Sequence, residues 1–99
     1  MGRTRWDDVS DEGLMTQFQD GDTRVFPVLM RRHVRGIYNF VARHTSPSQA
    51  DDLTQEVFLR VVERASAFKH EARFTTWLYA IARTLCVDTL RKMARRQHP

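Results

Sequence analysis

The chain has 99 residues, a hydrophobic share of 41% and a formal net charge of +4, from 16 Lys and Arg against 12 Asp and Glu. That length gives one domain with one modest core and leaves no second domain to close over a deep substrate cleft. The single cysteine, Cys86, excludes an internal disulfide, no apolar run is long enough to span a bilayer, and the polar start MGRTRWDDVSDEG does not read as a secretory signal, so a reducing cytoplasm is the expected compartment.

Taken in chain order, the pattern is helical almost throughout. Ser10 is positioned to cap a short first helix, with Asp11 and Glu12 in its first turn, where carboxylates favour the helix dipole. Leu14, Met15 and Phe18 share a face, and Asp20-Gly21-Asp22 ends the helix. Asp22 is then a cap for a long amphipathic helix whose stripe is Phe26, Leu29, Met30, Val34, Ile37, Tyr38 and Val41. Pro27 is awkward, because about one turn in it removes a backbone hydrogen bond and distorts or delays the helix start.

His44 to Ser48 is the clearest loop, with Ser46 as cap and Pro47 as a first-turn proline. Leu53, Val57, Phe58, Val61, Val62 and Ala65 form the stripe of the next helix. A break with no Gly, Pro, Asn, Asp or Ser follows in FKHEARFTTWLY, although turns favour those residues. Thr75 or Thr76 is the expected cap of the last helix, whose apolar face is Leu78, Ile81, Ala82 and Leu85, extended by Met93. Each helix offers one apolar stripe, so the expected fold is all-α, a compact bundle of about four helices with a loop before the last.

Charge is unevenly laid out along this chain. Residues 1–22 carry two Arg and six acids, residues 23–50 five Arg and no acid, and residues 51–56 three acids. Residues 57–82 carry four basic and two acidic groups, and residues 83–99 five basic groups and Asp88. Alternating patches suit a protein with two partners, one a polyanion, but charges clustered on a solvated surface look the same.

No catalytic set can be assembled. The four glycines are scattered, no HExxH or Glu-x-x-His motif occurs, and His33, His44, His70 and His98 are isolated. Cys86 lies on or beside the apolar face of the last helix, as a buried inert thiol would. Adjacent Asp51 and Asp52 diverge on a helix and do not converge as an acid–base pair. No enzyme, cofactor or metal is expected.

Two surfaces remain as binding candidates. Asp52, Gln55, Glu56 and Leu59, related by steps of three and four, form an acidic, amide-bearing ridge; acids in a first turn also stabilise a helix with no partner at all. The second is FKHEARFTTWLY with the helix after it. Lys69, His70, Arg73, Arg83, Arg91, Lys92, Arg95 and Arg96 can track a nucleic-acid backbone, and Phe74, Trp77 and Tyr79 can stack on bases. Phe68 and Phe74 flank the loop where anchors to a core commonly sit. With Leu78 and Ile81 facing the core, Trp77 and Tyr79 cannot both be centred on it, so at least one is expected at the boundary.

DDLTQEVFLRVV, a short turn and then ARFTTWLYAIARTLCVDTLRK, preceded by LMTQFQDGDTRVFPVLMRRHVRGIYNFV, resemble region 2 of bacterial sigma factors over roughly residues 11–95. The likeness is strongest to the extracytoplasmic-function (ECF) group. The resemblance implies a transcription initiation domain that docks on the clamp of the largest subunit of RNA polymerase and recognises and helps melt the promoter −10 element. It gives the docking role to Asp51, Asp52, Gln55, Glu56 and Leu59, with Phe58 and Arg60 as further positions. It makes Phe68 to Thr76 a specificity loop that receives a base flipped from the non-template strand. The DNA-facing positions are then Lys69, His70, Glu71, Arg73, Thr76, Trp77, Tyr79, Ala80, Arg83, Thr84 and Arg91.

Ala80 stands where the family commonly has Arg, Thr84 where it has Asn, and Pro27 is unusual for its helix. The resemblance further implies a bacterial cytoplasmic protein, monomeric when free, held by an anti-sigma factor, with a second domain for the −35 element. On that reading residues 1–9 are a flexible lead, 10–95 the region 2 domain and 96–99 the start of a linker. The rival expectation is a helical protein-interaction module that binds polymerase or a regulator without DNA.

Overall fold

The computed structural model describes residues 5–97. Helix α1 spans Asp11–Gln19, α2 Phe26–His44, α3 Pro47–Arg64 and α4 Phe74–Gln97, with 3-10 turns at Thr23–Val25 and Ala65–Ala67. The described residues are helices, turns and loops, so the all-α bundle expected from the sequence is the fold. Residues 1–4 of the expected N-terminal lead, and His98 and Pro99 of the expected linker, lie outside the described residues.

Ser10 caps α1 as expected, its Oγ accepting the Gly13 N–H at 3.0 Å. The helix ends at Gln19, and the chain turns away two residues later at Gly21, whose φ of 104° is the left-handed conformation that a side chain disfavours. Asp22 caps the 3-10 turn through the Arg24 N–H instead of capping α2, and the Arg24 guanidinium beside it holds its carboxyl below the usual carboxylate range. That turn resolves the Pro27 difficulty. Helix α2 begins at Phe26, so Pro27 falls in the first turn, where the ring costs no helical hydrogen bond.

Ser46 and Pro47 occupy the positions expected at the start of α3, but the Ser46 hydroxyl meets Ser48 Oγ at 3.0 Å and does not cap the helix. The expected Thr75 or Thr76 cap of α4 is also wrong. The helix starts at Phe74, and that residue's N–H donates to Glu12 Oε2 at 2.6 Å.

Helices α2, α3 and α4 pack on one another around Leu29, Ile37, Val41, Val57, Val61, Leu78 and Ala82, all buried. Full burial of an aliphatic side chain is worth about 1.5–3 kcal/mol each, so this shared core carries the bundle. His33 lies against Phe74 and Phe40 against Tyr79, which sets α2 and α4 running in the same direction. Helix α1 covers one end, inserting Leu14 and Met15. It is tied to α2 by Asp11, which meets Arg32 at 3.1 Å and His33 at 2.9 Å. Residues 5–9 form a turn from which Trp6 Nε1 donates to Gln17 Oε1 at 3.2 Å.

Three expected stripe residues are exposed, and Met93, expected to extend the apolar face of α4, is half-buried outside the core. Met30, Val34 and Val62 are 37%, 39% and 45% exposed, because among the described residues no element covers the outer edge of the α2–α3 seam. With Phe26, Phe58 and Leu59 they line an open apolar groove of about 310 Å³.

A loop and stripe on helix α4, and a ridge on α3

The loop between α3 and α4 is short, exposed and held from beneath. Lys69, His70, Glu71, Ala72 and Arg73 are all exposed, whereas Phe68 and Phe74 at its two ends are buried. These rings pack edge to face, 6.0 Å apart, and Trp77 closes the group at 5.2 Å from Phe68 and 6.0 Å from Phe74. The missing turn residues are thereby explained. Two aromatic anchors fix where the backbone leaves and re-enters the core, and among the described residues the only positive φ is that of Gly21.

Two side chains of α1 complete the support, and sequence reading missed both roles. Glu12 receives the first N–H of α4, and Gln19 Nε2 donates to Ala65 O at 2.8 Å and Phe68 O at 3.0 Å. Gln19 Oε1 also meets His70 Nε2 at 2.9 Å. No local pattern signals contacts across 62 and 46 to 51 residues. In the sequence Glu12 has only the signature of a first-turn acid, and Gln19 has none.

Beyond the loop, Thr76, Ala80, Arg83, Thr84 and Arg91 recur at helical spacing on the exposed side of α4. Thr84 Oγ1 donates to the Ala80 carbonyl at 3.0 Å, which directs its hydroxyl proton to its own helix. Among the described residues Lys69, Arg73, Arg83 and Arg91 make no ion pair, so their charges are available to an anion. Trp77 and Tyr79 are both half-buried, as the boundary expectation required of at least one, and they point to different neighbours. Trp77 rests on the loop anchors. Tyr79 turns to α2, edge-on to Phe40 at 5.4 Å, with its hydroxyl over Gly36.

The second surface is on α3. Asp52, Gln55, Glu56 and Leu59 are exposed and line one hollow with Arg60, Glu63 and Arg64; Leu59 is 62% exposed. Asp51 is exposed outside that hollow. Arg60 lies 3.6 Å from Glu56 and 3.8 Å from Glu63, so it offsets part of the acidity. Phe58, a further expected contact, is a core residue at 4% exposure, edge-on to Phe26 at 6.5 Å. Gln55 and Leu59 also border the apolar groove, so ridge and groove are continuous.

Among the described residues the other two histidines are satisfied by neighbours: His33 by Asp11, and His44 by the Phe40 carbonyl at 2.8 Å and by stacking on its ring. Burial pushes the Cys86 thiol up, consistent with an inert core cysteine. Among the described residues no group of His, Cys, Asp and Glu is arranged to hold a metal ion.

An all-α bundle with a braced, charged loop ahead of an exposed basic stripe defines a binding domain more than a reaction centre. The chain belongs to the Sigma-70 region 2 family, whose model matches residues 29–96. It is 30% identical over 88 residues to the ECF RNA polymerase sigma-E factor of Haemophilus influenzae, covering 89% of this chain and 47% of that protein. It is 32% identical over 96 residues to the ECF RNA polymerase sigma factor SigC of Mycobacterium tuberculosis, covering 97% of this chain and 52% of that one. The chain therefore spans about half the length of these relatives. Among solved structures it is similar to an engineered region 2 of sigmaE in an NMR complex with GTAAAA. The TM-score is 0.85 at 27% identity, covering 94% of this chain and 98% of that one.

Proposed function

We propose that this chain acts by binding, as the part of an ECF sigma factor that docks on the clamp of the largest subunit of RNA polymerase and captures the melted promoter −10 element. The observation that carries the reading is the likeness to a region 2 seen in complex with GTAAAA, at a sequence identity high enough to bear on more than fold. On this reading residues 10–95 are the working domain and 96–99 lead into a linker.

The mechanism follows from the surfaces. Asp52, Gln55, Glu56 and Leu59, with Asp51 beside them, fix the domain on polymerase. Arg83, Arg91, Lys69 and Arg73 meet phosphates of the non-template strand, while the loop from Lys69 to Arg73 surrounds one base turned out of the stack. Unstacking that base costs a few kcal/mol, offset by the stacking and hydrogen bonds of the place it enters. Trp77 is the better stacking candidate, because Tyr79 is engaged with Phe40 and Gly36. Ala80 and Thr84 present short side chains on the strand's path, so they shape it sterically and carry no charge to it.

The same two faces are what an anti-sigma factor would cover, and a free, monomeric, cytoplasmic protein fits this role. A helical adaptor that binds polymerase or a regulator without DNA is less well supported, since it gives no task to the unpaired arginines of α4. Selection of bound strands from a random single-stranded pool tests the proposal. A −10-like strand should emerge and outcompete its scrambled version, with affinity falling as salt rises. If no selected strand beats its scramble, the DNA-binding reading is lost.

A further inference from the structure

Gln19 is the last residue of α1, and its side-chain amide is wholly engaged with the loop. Its nitrogen donates to two backbone carbonyls, Ala65 O at 2.8 Å and Phe68 O at 3.0 Å, and its oxygen lies 2.9 Å from His70 Nε2. Carbonyl oxygens can only accept, so the nitrogen end of the amide has to face them and the oxygen end is left for the imidazole. That amide oxygen also can only accept. His70 must therefore carry a proton on Nε2, and in the neutral ring Nδ1 is a bare acceptor.

The ring is held a second time by Phe68, edge to face at 4.9 Å and 79°. His70 is nevertheless exposed, and among the described residues no other hydrogen bond engages it. Its neighbours Lys69, Glu71 and Arg73 have no comparable restraint. They can bring charge to a strand, but long free side chains do not offer an acceptor at a fixed point and angle. His70 does, because orientation and tautomer are both set from outside the loop, 51 residues earlier in the sequence.

We infer that Gln19 is a positioning residue for base selectivity. It holds His70 so that Nδ1 accepts a hydrogen bond from one captured base, favouring bases that present a donor there. Gln19 itself touches no DNA. The inference rests on the proposal that this loop receives a base of a single strand, and deepens it by assigning the selectivity to a residue pair.

The test is selection from a single-stranded DNA pool randomised at six consecutive positions. It uses the 99-residue chain, Gln19→Leu, His70→Phe and the double variant, each checked for folding by circular dichroism. His70→Phe keeps a ring against Phe68 and removes both nitrogens. In Gln19→Leu the preference at one position should fall about fivefold, the worth of one hydrogen bond, while the others persist. His70→Phe should flatten the same position, and the double variant should do no more than either single one.

Unchanged preferences in Gln19→Leu overturn the inference. So does uniform flattening at every position, which is what a merely loosened loop would give, or an effect at a position His70→Phe leaves alone. Should Gln19→Leu not fold, the near-isosteric Gln19→Met takes its place under the same outcomes, and an unaltered profile in His70→Phe rejects the role by itself. A parent chain that enriches no base at any position is a separate outcome, which removes the single-strand reading itself.

Discussion

The carboxylate of Glu12, in the first turn of α1, accepts the backbone N–H of Phe74, the first residue of α4, at 2.6 Å. An acid at one helix start thus serves as the cap of another, 62 residues away. It meets the positive end of the α4 dipole just where the exposed loop enters the helix. The loop's exit is fixed in this way by α1, as its entry is fixed by Gln19.

Glu12→Ala should therefore cost about 1–2 kcal/mol, the range for a lost helix cap with a partly buried orphan N–H. In a domain of this size that lowers Tm by roughly 4–8 °C per kcal/mol. Glu12→Gln keeps an accepting oxygen and should recover most of the loss. Thermal unfolding by circular dichroism measures both, and a Glu12→Ala Tm within a degree of the parent would show that the cap contributes nothing.

A contact that does not involve α1 links α2 to α4. A Cβ on Gly36 would lie 2.5 Å from the Tyr79 hydroxyl oxygen, whose ring is confined by Phe40, whereas the ring carbon Cζ is 3.9 Å away. Gly36→Ala should thus destabilise by about 1 kcal/mol, overpacking outweighing the better helix former. In a Tyr79→Phe background the same substitution should stabilise by up to about 1 kcal/mol, because the offending oxygen is gone. A double-mutant cycle from denaturant titrations reads the reversal of sign; equal effects in both backgrounds would reject the steric account.

Most of the fold was legible because its punctuation is local. Ser10 marks a helix start through its own hydroxyl, Gly21 and Pro47 mark ends through their backbone conformation, and the three- and four-residue steps of Leu, Ile and Val identify the buried faces. The start of α4 is not legible in its own segment, because its cap is supplied by the distant Glu12 while Thr75 and Thr76 in the first turn mimic a local one. Met30, Val34 and Val62 share the period of true core positions, and only the absence of a covering element exposes them. The two candidate surfaces were visible as composition. Which of Trp77 and Tyr79 turns to the loop was not, since that depends on Phe68, Phe40 and Gly36, residues far apart in sequence.

On the proposed DNA face, charge and packing separate cleanly in two positions. Lys69 and Arg73 are exposed and without ion pairs, so a Lys69→Ala, Arg73→Ala double variant should leave Tm nearly unchanged. It should weaken single-strand binding across all sequences and reduce the slope of log K against log salt by roughly 0.7 for each phosphate contact removed. Trp77→Ala should differ, losing stability as well as binding, because its ring packs on Phe68 and Phe74. Fluorescence anisotropy over a salt series, beside melting curves, distinguishes the two, and an unchanged slope in the double variant would remove Lys69 and Arg73 from the phosphate path.

The α3 ridge should behave as an interface with no part in stability. Gln55, Glu56 and Leu59 are exposed, with Leu59 presenting an apolar side chain to water beside an apolar groove. Truncating exposed groups outside the core usually shifts stability by less than about 0.5 kcal/mol. Gln55→Ala with Glu56→Ala should therefore fold normally, keep single-strand affinity and lose binding to core RNA polymerase. Leu59→Asp should weaken the same binding by at least about tenfold, the scale of an interface hot spot, since a charge would replace the apolar contact that Leu59 offers. Surface plasmon resonance on immobilised core enzyme, run beside the single-strand assay, checks both variants. Parent-like polymerase binding by both would move the docking site off α3, and joint loss of polymerase and DNA binding would mean that the two faces are not independent.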